Sequence, residues 1–160
     1  MPKHLQARSF SPRDKGPSPS QVAEAWGEDL HQYEWSHFAV LTPRFPDCSA
    51  DRLVREFRNV FIRRLAHSAQ GSIPWFYSVE RSAGGIFHLH ALLARTEQAT
   101  IAHIRAAWRL GISDVSIYDT SRRGAWYVTK TLGLPWAGFE RWDASRRLPR
   151  KRPQQMRQAA

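Results

Sequence analysis

The stretch WFYSVERSAGGIFHLHALLA, residues 75–94, decides how the chain is read. Pro74 precedes a strand-like run from Trp75 to Glu80, Gly84 and Gly85 supply a turn, and Ile86 to Ala94 returns as a second run, so the segment reads as a β-hairpin. His88 and His90 are separated by one residue. The two-residue repeat of a strand therefore points both imidazoles to one face and Phe87, Leu89, Ala91 and Leu93 to the other. The apolar set claims the helix-backed side, which leaves the histidines on the uncovered face. Glu80 lies eight positions before His88, and an even separation about the Gly84 turn puts opposed residues on the same face. A slip of one residue would drive the carboxylate unpaired into the core, so the register that joins Glu80 to the histidines is favoured. Two neutral imidazoles and a carboxylate are a ligand set for a divalent cation.

Outward from the hairpin, Ser36 to Thr42 (SHFAVLT) is an apolar run stopped by Pro43 and predicts a buried strand. From Ala50 to Gln70, Leu53, Val54, Phe57, Val60, Phe61 and Leu65 recur at steps of one, three and four and predict one helix, with Arg52, Arg55, Arg58 and Arg63 largely off its apolar stripe. Glu97 to Leu110 predicts a second helix, stopped by Gly111, and Val115 and Ile117 alternate in a short strand. Arg122 to Leu132 predicts a third helix packing through Ala125, Val128 and Leu132, ended by Gly133 and Pro135. The order β-α-β-β-α-β plus one helix predicts an α+β fold of the split βαβ kind, ferredoxin- or RRM-like: four antiparallel strands backed by two helices, with the third helix on the open side.

The chain has 160 residues, enough for one domain with a modest core. Residues 36–134 are expected to form it. Residues 1–35 read as an N-terminal extension, largely disordered over its Pro- and Ser-rich first twenty residues, with room for a short helix in Gln21 to Trp35; residues 135–160 read as a basic, aromatic tail. No apolar run is long enough to span a membrane, no secretory signal is legible, and Cys48 is the one cysteine, so a soluble cytoplasmic protein without membrane partners is expected. The net charge is +10, with a pI near 10.8. Residues 121–160 hold ten basic residues against two acidic ones, so an anionic partner is expected to meet that end of the chain.

Tyr127 and Lys130, three apart, share a face of the third helix that its packing stripe does not use. A tyrosine beside a divalent ion can attack a phosphodiester, with a lysine placing positive charge near the developing anion. The paired basic residues Arg122 and Arg123, Arg146 and Arg147, and the run Arg150 to Arg152, flank Trp136, Phe139 and Trp142, a mixture suited to phosphate contact and base stacking. Thr42 and Arg44, at the end of the first strand, are read as further DNA contacts at the sheet edge. Cutting the chain after about residue 140 is then expected to weaken DNA binding while sparing cleavage. His37 reads as structural or surface, His103 as solvated, and Cys48 as a loop thiol.

Taken in order, FAVLTP at 38–43, HLHALL at 88–93 with Glu80 upstream, and WYVTK at 126–130 resemble the three motifs of the HUH endonucleases, specifically the single-tyrosine rolling-circle replication initiators (Rep proteins) of plasmids, phages and circular single-stranded DNA viruses. The resemblance covers residues 36–134. It implies nicking of single-stranded DNA at an origin hairpin or loop through a 5′-phosphotyrosyl intermediate. Glu80, His88 and His90 would hold Mg²⁺ or Mn²⁺, Tyr127 would be the nucleophile, and Lys130 would orient or stabilise phosphate. The chain carries no G-x-x-x-x-G-K-S/T phosphate loop, so a host helicase and polymerase are expected partners. Single-tyrosine transposases share this motif order and size but usually carry Gln where Lys130 stands. A non-catalytic RRM-like module is the rival from outside enzymology. The oligomeric state, the origin sequence and the choice between replication and transposition stay open at this point.

Overall fold

A computed structural model describes residues 16–135, 138, 139 and 141–151. Residues 1–15 of the predicted extension, Trp136 and residues 152–160, Arg152 included, lie outside the described residues, as does the side chain of Arg122. The fold is α+β. Strands β1 (His37–Pro43), β2 (Trp75–Arg81), β3 (Phe87–Leu93), β4 (Gly111–Ile117) and β5 (Trp142–Ala144) form a single antiparallel sheet in the order β4-β1-β3-β2-β5.

The sheet buries its two faces against different partners. Ala39, Leu41, Tyr77, Val79, Leu89, Ala91, Leu93 and Val115 point into the larger core, where α2 (Ala50–Glu56), α3 (Ile62–Ser68) and α4 (Ile101–Ala107) cover them with Leu53, Phe57, Phe61, Leu65, Ile104 and Trp108. The α2–α3 segment is not the single uninterrupted helix expected over Ala50 to Gln70. A π-helical turn, Phe57–Phe61, joins its halves, and the amide of Ile62 donates to the carbonyl of Phe57. The reason lies in the spacing. Leu53, Phe57, Phe61 and Leu65 follow one another every fourth residue, and in a 3.6-residue helix each such step rotates the stripe by about 40°. One wider turn absorbs most of the accumulated drift and keeps all four side chains on the sheet.

The other face is not left open along its whole length. Helix α1 (Pro19–His31) and helix α5 (Gly124–Thr129) lie across part of it, and Leu30, Trp35, Phe76, Leu92, Ala94, Ala125 and Val128 form a second buried cluster. Helix α1 begins inside the segment expected to be disordered, because Ser18 and Gln21 close a capping box ahead of Pro19 in the first turn. Gly27 lets α1 approach α5, since a Cβ there would collide with the Trp126 indole. Arg123 pairs with Glu24 across the same crossing at 2.9 Å.

Three further local expectations are corrected. Helix α4 is shorter than Glu97 to Leu110, because Thr100 caps it by accepting from the His103 amide. Gly111 opens β4 rather than closing a helix; a Cβ there would strike the backbone of β1 at Thr42 and Arg44, so the close approach of the two strands requires glycine. The segment after residue 135 is more than a tail. Strand β5 pairs with β2, Trp142 stacks on Phe76 and Trp26, and Asp143 is ion-paired with Arg58. The chain then returns to α1, where Lys151 N donates to Gln32 O and the Arg150 guanidinium lies over the Tyr33 ring. Loss of residues beyond 140 therefore removes an element of the sheet.

Candidate metal centre and tyrosine site

Hairpin register assembles the first half of the site. Glu80 on β2 is paired directly with His88 on β3, and Ser78 with His90. One ligand atom from each of Glu80, His88 and His90 lies within 4.8 Å of the others, a group able to hold a metal ion. The residues fit a divalent cation on their own chemistry. His90 is buried, its Nε2 lies 3.0 Å from Glu80 Oε2, and its Nδ1 has no hydrogen-bond partner among the described residues. Nε2 is the ring nitrogen that faces the carboxylate, so a cation shared with Glu80 would displace the proton held between them and take the Nε2 lone pair. Burial holds the His90 pKa down at about 4 against the pull of Glu80, so the ring is neutral, the form that ligates.

Helix α5 supplies the second half. Ala125, Val128 and Thr129 are buried, the Thr129 hydroxyl donating to Ala23 O and so tying α5 to α1. Tyr127 is left 47% exposed on the side facing the sheet. Its ring meets His90 edge-on at 5.1 Å between centroids and Phe38 at 5.8 Å. Lys130, just beyond the helix, reaches 2.9 Å from Glu80 Oε2 and stands 4.2 Å from the Tyr127 ring centre. Burial opposes the lysine charge, but the Glu80 carboxylate and the Tyr127 hydroxyl outweigh it and hold the ammonium above the usual lysine range. Burial likewise opposes the charge on Glu80, and Lys130 and His90 overcome it, keeping the carboxyl below its ordinary range. The cluster is thus a carboxylate bridging a lysine and an imidazole, with a half-exposed phenol alongside.

No protein-family model, curated protein or solved structure matches the chain. The site therefore rests on its own geometry.

The structure brings Glu80, His88, His90, Tyr127 and Lys130 together. The remaining candidates are dispersed. Thr42 shares a face of β1 with Phe38 and Val40, and Val40 is paired with His90, so Thr42 is on the site's side of the sheet one pleat further along. Arg44 is exposed just past β1, at the β4 side of the sheet. Arg122 ends a short 3₁₀ turn, Thr120–Arg122, ahead of α5. Arg123 is occupied by Glu24 and stacks on Trp126, so it serves the α1–α5 crossing. Arg146 and Arg147 are exposed beyond β5. His37 is buried with Nδ1 2.7 Å from Thr96 Oγ1, which gives it a structural role, while Cys48 lies in the loop between β1 and α2, as expected, with its thiol buried in the larger core. Two residues escaped the sequence reading. Phe38 packs against both His90 and Tyr127, and Ser78 is buried opposite His90. Their signal was parity: Phe38 shares a strand face with Thr42, and Ser78 shares one with Glu80. Phe38 and Tyr127 also line a cleft of about 240 Å³ with Ile117, Tyr118 and Gly124, an aromatic-rimmed space beside the phenol.

Among the described residues, no helix is long and apolar enough to cross a membrane.

Proposed function

We propose that the protein is a metal-dependent, single-tyrosine DNA nickase and strand transferase that initiates rolling-circle replication. The observation that carries this reading is the position of Tyr127, held by α5 against His90 of the Glu80–His88–His90 group with Lys130 beside both. The strand order β4-β1-β3-β2 is also the one a split βαβ sheet requires, with β5 added at its edge.

Glu80, His88 and His90 would hold Mg²⁺ or Mn²⁺; the mixed nitrogen and oxygen set suits Mn²⁺ at least as well as the oxygen-loving Mg²⁺. Bound there, the ion would supply Lewis-acid polarisation of a scissile phosphate. Tyr127 Oη attacks phosphorus, the bond from phosphorus to the 3′-oxygen breaks, and that oxygen leaves as a 3′-hydroxyl, the proton it takes up balancing the one the phenol gives up. The 5′-phosphate remains on the tyrosine until a later 3′-hydroxyl reverses the step. Lys130 places an ammonium where charge develops on the phosphoryl oxygens. The aromatic cleft beside Tyr127 suits an unstacked base of a single strand. Lys130 favours this reading over a transposase. A binding module reading the open sheet face is disfavoured, because α1 and α5 cover part of the surface that such modules keep free.

The experiment is incubation of the full chain with end-labelled, random-sequence single-stranded 30-mers, including stem-loops, and Mn²⁺. A covalent protein–DNA adduct that survives denaturation is expected, and it should vanish in Tyr127→Phe while Mn²⁺ binding persists. An adduct that forms unchanged in that variant would refute the nucleophile.

A further inference from the structure

The helical face of the molecule carries a cleft that the tyrosine site does not use. It lies between the π turn, α3 and α4, has a volume of about 480 Å³, and is lined by Arg63, Arg64, Arg109, His67, His103 and Asn59 among others. No carboxylate lines it. This is unlike most of the arginines with partners, since Arg58, Arg105 and Arg123 face Asp143, Asp114 and Glu24. Arg63, Arg64 and Arg109 have no ion-pair partner among the described residues, and Arg64 is half-buried with an Nη1 atom that is shielded from solvent and unbonded. Three guanidinium groups sharing a concavity repel one another unless an anion lies between them.

The positive strip is also extended. At its far end Ser68 and His103, bonded to one another at 2.9 Å, form a shared wall with a second, smaller cleft that ends at Arg95. Points of charge are thus distributed along a groove, which suits a polymer of phosphates better than one small anion. No Phe, Tyr or Trp lines either cleft. Single-stranded nucleic acid is gripped through aromatic stacking on its bases, as the Phe38–Tyr127 cleft would allow; guanidinium groups without an aromatic ring beside them meet a sugar-phosphate backbone. In a duplex the bases are already stacked on one another and the backbone is what is presented.

We infer that the α3–α4 groove is a sequence-independent binding site for the backbone of duplex DNA, on the opposite side of the sheet from Glu80, His88 and His90. It goes beyond the nickase reading and stands whether or not Tyr127 forms an adduct. The separation follows from strand parity. α3 and α4 cover the face bearing Leu89 and Ala91, and His88 and His90 point the other way.

The test is fluorescence anisotropy of the full chain with a labelled, blunt 20-base-pair duplex of arbitrary sequence, titrated at several salt concentrations beside single-stranded dT₂₀. Arg63→Gln/Arg109→Gln changes two exposed side chains, and its fold is checked by thermal melting. The slope of log affinity against log salt on the duplex should fall in magnitude by roughly two, about one for each phosphate contact removed. Restoring the charge as Arg63→Lys/Arg109→Lys should recover most of it, and Mn²⁺ binding should be unchanged in both variants. Adding Arg64→Gln should deepen the loss; if that triple variant fails to fold, the exposed pair alone decides. An unaltered duplex slope would overturn the proposal. So would an equal loss on dT₂₀, which would make the groove an unselective polyanion patch. Loss of duplex binding with no tyrosyl adduct in wild type would leave the groove standing and remove the nickase instead.

Discussion

His90 connects packing to chemistry more directly than any other side chain. It is 3% exposed, and desolvation is the largest influence on it; Glu80 pulls its pKa up, Lys130 and His88 push it down, and the outcome is about 4 against an ordinary 6.5. Between those values the unfolded chain binds a proton that the folded chain excludes, so folding stability is full above about pH 6.5 and falls as pH drops towards 4. His31 and His37 are lowered by burial as well and act in the same direction. Urea denaturation at pH 7 and pH 4.5 should therefore show a loss on acidification that is smaller, but not absent, in His90→Gln. An equal loss in both proteins would mean that His90 is charged in the folded state. The grouping of Glu80, His88 and His90 was legible in the sequence because strand parity and turn parity act over a few residues. The ion pair of Lys130 with Glu80 was not. It links positions fifty residues apart, and its existence depends on where α5 crosses the sheet. Phe38 was hidden for another reason: an aromatic in an apolar strand looks like core from either side.

At the scale of elements, helix existence was readable and helix interruption was not. The stripe at Leu53, Phe57, Phe61 and Leu65 announces a helix, but the π turn follows from a phase error that becomes costly only once a flat partner fixes the direction of every side chain. Helix α1 was expected within Gln21 to Trp35, but its start was not. Its capping box and Pro19 were in the sequence, yet low local hydropathy masked them, and its stability comes from the second core cluster. The α1–α5 crossing is tight at one position. Gly27→Ala should place a methyl against the Trp126 indole and cost about 1–3 kcal/mol, read from chemical denaturation. Because α5 carries Tyr127 and Lys130, the same variant should also disturb the site, whereas a variant unaffected in stability would show that the helices part easily.

The whole molecule is a sheet with two unlike coverings. α2, α3 and α4 seal one face and leave Arg63, Arg64 and Arg109, without ion-pair partners among the described residues, on the outside, while α1 and α5 only partly cover the other and leave Glu80, His88 and Tyr127 partly exposed beside the buried His90. The overall α+β antiparallel character was legible from periodicity. The fifth strand was not, since Trp142 to Ala144 is too short to show a period and its partner is β2, far back in the chain. This also changes what a truncation measures. A chain ending at residue 140 loses Trp142 from between Phe76 and Trp26 and loses Asp143 from Arg58, so its melting temperature should fall clearly below that of the full chain. An unchanged melting temperature would show that β5 adds nothing to the sheet.

The crossing of α1 over α5 also has a temporal side. Gly27 and Trp126 meet across about a hundred residues of chain, so during synthesis the first helix emerges long before the surface that receives it. Until α5 is made, Trp26 and Leu30 lack the helix that completes their cluster and have only the sheet residues Phe76 and Leu92 to pack against. Helix α5, which carries Tyr127, is therefore docked late as well, and a nascent or half-folded chain holds that tyrosine away from Glu80, His88 and His90.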